Sequence, residues 1–173
     1  MSVDTGWKLP TTEPYPSTNT GVWVNPTNAY TSDGTFTTTD QYVYPQDYGT
    51  FGFSIPTGST ILGIEVIIQG KVSADTGLMY VSLCGSMYTT YTPHATLTTT
   101  NTSYTIGSPS NLWGRTWVAS DFDDSNFYTE LLYGSPSNTA YVDSIQIRVT
   151  YTETPSVVGP FPTFFRAIIP IAR

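Results

Sequence analysis

The sequence predicts an all-β protein: an antiparallel two-sheet sandwich, jelly-roll-like, with extended N- and C-terminal arms. Three observations predict it. The 173 residues include 13 Tyr, 13 Pro and 14 Gly but only 11% charged residues, so the polar surface is made from Thr, Ser, Asn and Tyr. Thr and Tyr favour strands, and Pro and Gly favour turns. Two stretches alternate apolar and polar residues with a period of two, and no long window carries a helical period.

Taken in chain order, residues 1–20 hold Pro10, Pro14 and Pro16 and read as an irregular Pro-rich arm. Residues 21–153 read as the β-sandwich domain, with strands expected near Val22 and Phe36 and over Phe51–Ile55. Ile55-Pro56-Thr57-Gly58 ends that strand, because Pro fixes φ and Gly permits a positive one. Ile61 to Val72 has the clearest register: Leu62, Ile64, Val66, Ile68 and Val72 face one way, and Glu65, Gln69 and Lys71 the other. Asp75-Thr76-Gly77 reads as a turn that returns Met79–Cys84 antiparallel, as a hairpin. Further strands are expected at Ala95–Thr99, Ser103–Ile106 and Phe127–Leu132. In Tyr141–Tyr151, Ile145, Ile147 and Val149 alternate with Ser144, Gln146, Arg148 and Thr150. About eight strands at this spacing suit two stacked sheets, for which a jelly roll is a common topology. Trp113 and Trp117, four apart in an irregular segment, are expected to pack over a sandwich edge.

Residues 154–173 read as a docking arm. Phe161, Phe164, Phe165, Ile168, Ile169 and Ile171 crowd a stretch broken by Pro160, Pro162 and Pro170. Proline at that density forbids a continuous helix or a central strand. So much apolar surface calls for a covering partner, either another protein or a sister subunit.

The net charge of −7 and a pI near 4.3 argue against binding a phosphate backbone. Cys84 is the single cysteine, so no intrachain disulfide is possible. The opening MSVDTGWKLP has neither the basic nor the apolar region of a secretory signal, and none is expected. No run has the length and apolarity of a membrane span, so no membrane partner is expected either.

Candidate chemistry is sparse. Cys84 and His94 are the only residues of their kinds, and a Cys–His pair is formally possible. The competing reading is a packed thiol and a surface imidazole, and two such ligands cannot close a zinc site. Asp121, Asp123, Asp124, Ser125 and Asn126 offer oxygen ligands for calcium but lack the spacing and glycine of an EF-hand loop. They also read as a polar turn whose side chains bond nearby backbone N–H groups. Tyr88, Tyr91 and Tyr104, in the low-charge stretch Met87–Thr105, could form an aromatic platform for a glycan or pack in the core or an interface. Asn101-Thr102-Ser103 matches a glycosylation sequon. No P-loop, dinucleotide fingerprint or nucleophile elbow is present. No catalytic, cofactor-binding or metal residue is assigned, and no enzyme activity is expected.

Four segments carry a resemblance: NPTNAYTSDGTFTT (Asn25–Thr38), FGFSIPTGSTILGIEVIIQGKVSA (Phe51–Ala74), LWGRTWVASDFDDSNF (Leu112–Phe127) and AYVDSIQIRVTYT (Ala140–Thr152). Together they resemble β-sandwich virion structural proteins of tailed bacteriophages. The resemblance implies a virion role without catalysis, as a capsid decoration or cement protein or a tail-associated module. It implies the major capsid protein or other virion subunits as partners, a homo-oligomer with a trimer favoured, and a place on the outer surface of the capsid. The alternative is a tail or fibre module that binds a host surface glycan.

Overall fold

The computed structural model describes residues 1–14, 22–42, 44–85, 93–135 and 137–153. Nine strands occur among them: β1 (Ser2–Asp4), β2 (Thr37–Thr39), β3 (Pro45–Gly49), β4 (Thr60–Val72), β5 (Gly77–Cys84), β6 (His94–Leu97), β7 (Thr102–Ser108), β8 (Tyr128–Tyr133) and β9 (Ala140–Thr152). They form two antiparallel sheets. The first runs β1-β9-β4-β7, with β2 also on β9, and the second runs β3-β8-β5-β6. Leaving β1 aside, pairing is nested: β2 with β9, β3 with β8, β4 with β7, and β5 with β6. Folding a long antiparallel ribbon over on itself produces this order, which is the jelly roll the sequence predicts.

The alternation in β4 and β9 explains the core. Ile64, Val66, Ile68 and Val72 on β4 and Val142, Ile145, Ile147 and Val149 on β9 are buried. Met79, Val81 and Leu83 on β5 and Leu131 and Tyr133 on β8 are buried with them in one cluster. Two bulges modify the expected register. On β4, Ile61 pairs with Tyr151 and Gly63 with Thr150, so Leu62 is the extra residue. Ile61 is therefore buried in the core while Leu62, expected inward, is only half-buried. On β9, Gln69 pairs with Ser144 and Gly70 with Val142, so Asp143 is the extra residue. Its buried carboxylate accepts the backbone N–H groups of Asp33 and Gly34 at 3.1 and 2.9 Å, tying down the loop before β2.

Three further expectations change. β4 and β5 are not a hairpin, because β5 pairs with β6 and β8 in the other sheet. The turn between them, with Asp75 at φ 54°, carries the chain across the sandwich instead. Phe51–Ile55 is not a strand: Thr50 and Gly52 take positive φ (54° and 64°), which breaks the ladder. Near Val22, only an isolated bridge forms, from Val24 to Thr38.

Residues 1–14, expected within an irregular arm, lie along the body. β1 pairs with the C-terminal part of β9, the Thr5 N–H bonds to the Val149 carbonyl at 3.0 Å, and Lys8 bridges to Ile147. Further on, Thr11 and Thr12 bond to Gly49 on β3, in the second sheet. The segment is thus a strap from one sheet edge to the other. Trp7 lies under the Arg148 guanidinium, 4.5 Å from its ring centre, and Arg148 pairs with buried Glu65 at 2.8 Å. Glu13 lies near the Tyr30 hydroxyl and the Gln46 amide, at 3.5 and 3.4 Å. The backbone edge of β9 is occupied by the strap, by Tyr30 opposite Ser144 and by β2.

Candidate functional site

At one end of the sandwich, the segment after β7 folds back over the core. Gly107 turns at φ 84°, and its α-carbon faces the Ile64 carbonyl and the Trp113 ring too closely for any side chain. Trp113 is fully buried, and its Nε1 donates to that carbonyl at 2.9 Å. Trp117 is also buried, with its Nε1 donating to the Leu112 carbonyl at 2.9 Å. It packs on Phe122 and Phe127, which with Phe51 and Phe53 make a plug of stacked and edge-on rings with centroids 5.0–6.1 Å apart. Both tryptophans therefore do pack at a sandwich end, as part of the core.

The acidic turn is committed to this architecture. Asp121 Oδ2 accepts from Arg115 Nη2 at 2.9 Å and from the Val118 N–H at 3.0 Å. These side chains are 8% and 4% exposed, and the guanidinium stacks 4.0 Å over Trp117. Asp124 accepts the Gly52 N–H at 2.9 Å, and the Asn126 amide donates to the Ser120 carbonyl at 3.1 Å. These groups diverge to separate partners, as the polar-turn reading expects. Among the described residues no three His, Cys, Asp or Glu side chains converge on a common point for a metal.

Beside this turn is a cavity of about 240 Å³, lined by Ile55, Thr57, Gly58, Ser59, Val118, Ala119, Ser120 and Asp123. One wall is the turn closed by the Ser59 N–H on the Pro56 carbonyl at 3.1 Å, which Gly58 permits with φ 85°. The other is the short 3₁₀ turn Ala119–Phe122 and its flanks. The Ser59 hydroxyl is buried and has no hydrogen-bond partner among the described residues.

The outer face of the second sheet carries a different arrangement. Gln46, Tyr48, Thr129 and Leu131 are buried between the sheets, so the alternating Asp47 and Glu130 point outward. They are register partners on β3 and β8. Burial, and then the Glu130 charge, push the Asp47 carboxyl up to about 7. Burial also raises Glu130. One Asp47 oxygen is buried without a hydrogen-bond partner among the described residues. On the same sheet Cys84 is buried, and burial pushes its thiol up to about 12. His94 pairs with Tyr80, four residues from Cys84 along β5, or about 13 Å at the usual rise per residue. The exposed imidazole tilts against the Tyr80 ring at 5.3 Å. Cysteine and histidine are thus held apart, and the thiol is in its unreactive form.

The residues expected to dock a partner, Phe161, Phe164, Phe165, Ile168, Ile169 and Ile171, lie outside the described residues, as do Tyr88 and Tyr91. Tyr104 is on β7, where its hydroxyl accepts the Thr98 N–H at 2.9 Å and holds the β6–β7 turn. Three features were not read from the sequence: the strap, the opposed carboxylates and the cavity. The apolar–polar alternation of Tyr128–Tyr133 could have placed Glu130 outward, but nothing local to Pro45–Gly49 reveals its partner strand. Ser59 follows a Pro-Thr-Gly turn and reads as one more polar loop residue.

A scan against protein-family models finds no match, and no curated protein is similar in sequence at a significant level.

Proposed function

We propose that the chain is a structural virion protein, a capsid decoration or cement protein that binds the outer shell and clamps neighbouring capsid subunits through its terminal segments. The strap carries this reading. Residues 1–14 bind two sheet edges largely by main-chain hydrogen bonds and contribute nothing to the central apolar cluster. That is strand addition, a mode in which backbone supplies affinity and a few side chains supply register. A chain that uses one terminal segment this way has a scaffold suited to doing so between subunits.

The resemblance adds support, because its segments are neighbours in space. Asn25–Thr38 ends in β2, Phe51–Ala74 contains β4 and Ala140–Thr152 is β9, three adjacent strands of the first sheet. Leu112–Phe127 closes the end of the sandwich above them. In this reading Phe161, Phe164, Phe165, Ile168, Ile169 and Ile171 dock on the major capsid protein or another virion subunit, and the body forms a homo-oligomer, with a trimer favoured.

The test is a chain ending at Thr154, compared with the full chain for binding to purified shells lacking this protein. The shortened chain should keep the circular dichroism and unfolding midpoint of the sandwich but lose shell binding. Undiminished binding would overturn the clamp. Counting copies in separated heads and tails by quantitative mass spectrometry places the protein independently. Hundreds on heads fit a shell component, whereas a handful confined to tails would favour the tail or fibre module.

A further inference from the structure

We infer that the cavity between the Ile55–Ser59 turn and the Val118–Asp123 segment is a binding site for a neutral hydroxylated ring, a single pyranose unit. The inference does not rest on the virion reading.

The first argument is size. At about 240 Å³ the cavity is smaller than pockets that enclose drug-sized ligands, and suits one small ring. The second is charge. Among the described residues no Lys, Arg or His lines it to offer an anion a counter-charge, and Asp123 supplies the only formal charge. The third is the distribution of groups. The hydroxyl- and carboxylate-bearing residues Thr57, Ser59, Ser120 and Asp123 share the lining with Ile55 and Val118. Val118 is 56% exposed, an apolar surface left open at the rim. A pyranose has the matching character, with hydroxyls around its edge and C–H groups on its faces.

Ser59 makes the site more than a surface dent. It is only 8% exposed, and its hydroxyl is buried without a partner among the described residues. Leaving a buried hydroxyl unpaired is unfavourable, and turning the Ser59 side chain toward the cavity would let a ligand hydroxyl recover that cost on binding. The neighbouring groups are uncommitted as well. The hydroxyls of Thr57 and Ser120 and the Asp123 carboxylate form no hydrogen bond with described residues, although the Ser120 and Asp123 carbonyls hold the turn. A carboxylate accepts two hydroxyls at once, and vicinal hydroxyls of a sugar present two. The backbone of the walls is already fixed by the Pro56–Ser59 hydrogen bond and the Arg115–Asp121 pair, so only the Ser59 side chain has to turn.

The experiment is a titration of the isotope-labelled full chain with methyl pyranosides of glucose, galactose, mannose and N-acetylglucosamine, followed by amide NMR. Saturable shifts at Gly58, Ser59, Ala119 and Ser120 are expected with at least one sugar. Ser59→Ala should weaken that binding by about tenfold or more, while Ser54→Ala, exposed and outside the cavity, should not. Ser59→Ala removes an unpaired hydroxyl and should not lower the unfolding midpoint, which separates lost binding from lost folding. No saturable shift with any of the sugars would overturn the inference. So would equal binding by the two serine variants.

Discussion

Replacing Asp47 with Asn should stabilise the protein above neutral pH and leave it nearly unchanged in acid. Asp47 and Glu130 face each other across β3 and β8 on the outer side of the second sheet. Burial, with Glu130 adding to it, moves the Asp47 carboxyl from 3.8 to about 7. The folded protein therefore holds this proton more tightly than the unfolded chain does. The corresponding stability is fully present below about pH 4 and is lost as pH rises through about 7. In a dry site that separation would correspond to about 4 kcal/mol. Asp47 is only partly buried, and solvent screening reduces the expected loss to about 1–2 kcal/mol. Asn has no charge to acquire, so Asp47→Asn should gain that amount near pH 8.5 and almost nothing near pH 4. Glu130→Gln should recover only part of it, because burial is the larger cause at Asp47. Urea unfolding of the three proteins across this range is the assay. Parallel stability profiles for the wild type and Asp47→Asn would refute the reasoning, as would an Asp47 carboxyl carbon that titrates near 4 by NMR.

Two other expectations concern the sandwich end. Asp121→Ala leaves the Arg115 guanidinium buried without its carboxylate and frees the Val118 N–H, so it should cost about 3–5 kcal/mol in denaturant unfolding. Gly107→Ala would place a β-carbon 2.3 Å from the Ile64 carbonyl oxygen at φ 84°, so the backbone must shift and the Trp113–Ile64 hydrogen bond with it. A loss of at least about 3 kcal/mol is expected, with a changed Trp fluorescence maximum; an unaltered midpoint would contradict the close approach.

What could be read from the sequence followed the strength of the period-two signal. β4 and β9 are long, and each buries one apolar face, so alternation alone located them. β3 escaped because Pro-Gln-Asp-Tyr-Gly turns Gln46 inward beside Tyr48, and a polar residue in the core position hides the alternation. Phe51–Ile55 misled in the opposite direction. Phe-Gly-Phe-Ser-Ile alternates like a strand, yet its rings belong to the aromatic plug, and a positive φ at Gly52 breaks the backbone ladder. The hairpin expected after β4 failed because a turn signal specifies a reversal and not which sheet the chain joins next. The same limit applies to the candidate site. Asp47 opposes Glu130, and Ser59 shares a cavity with Asp123, only once distant segments meet, and no local pattern encodes those meetings. The polar-turn reading of Asp121–Asn126 needed only neighbours close in sequence; it holds for Asp121 on the Val118 N–H, whereas Asn126 donates to a carbonyl and Asp124 reaches the distant Gly52 N–H.

The position of β9 has a consequence for how the chain is made. This strand lies between β4 and the edge pieces β1 and β2, yet every one of its partners among the described residues precedes it in sequence. Even its closest register pair with β4, Val72 with Ala140, is separated by the whole of β5, β6, β7 and β8. A nascent chain that has reached β8 therefore holds a first sheet without its middle strand, with the edges of β2 and β4 that face β9 left unpaired. Productive folding must wait for Ala140–Thr152 to leave the ribosome, and closure over such sequence distances is slow. The interval before it is when aggregation threatens, so a premature stop within β9 should yield insoluble chain rather than a weakened sandwich.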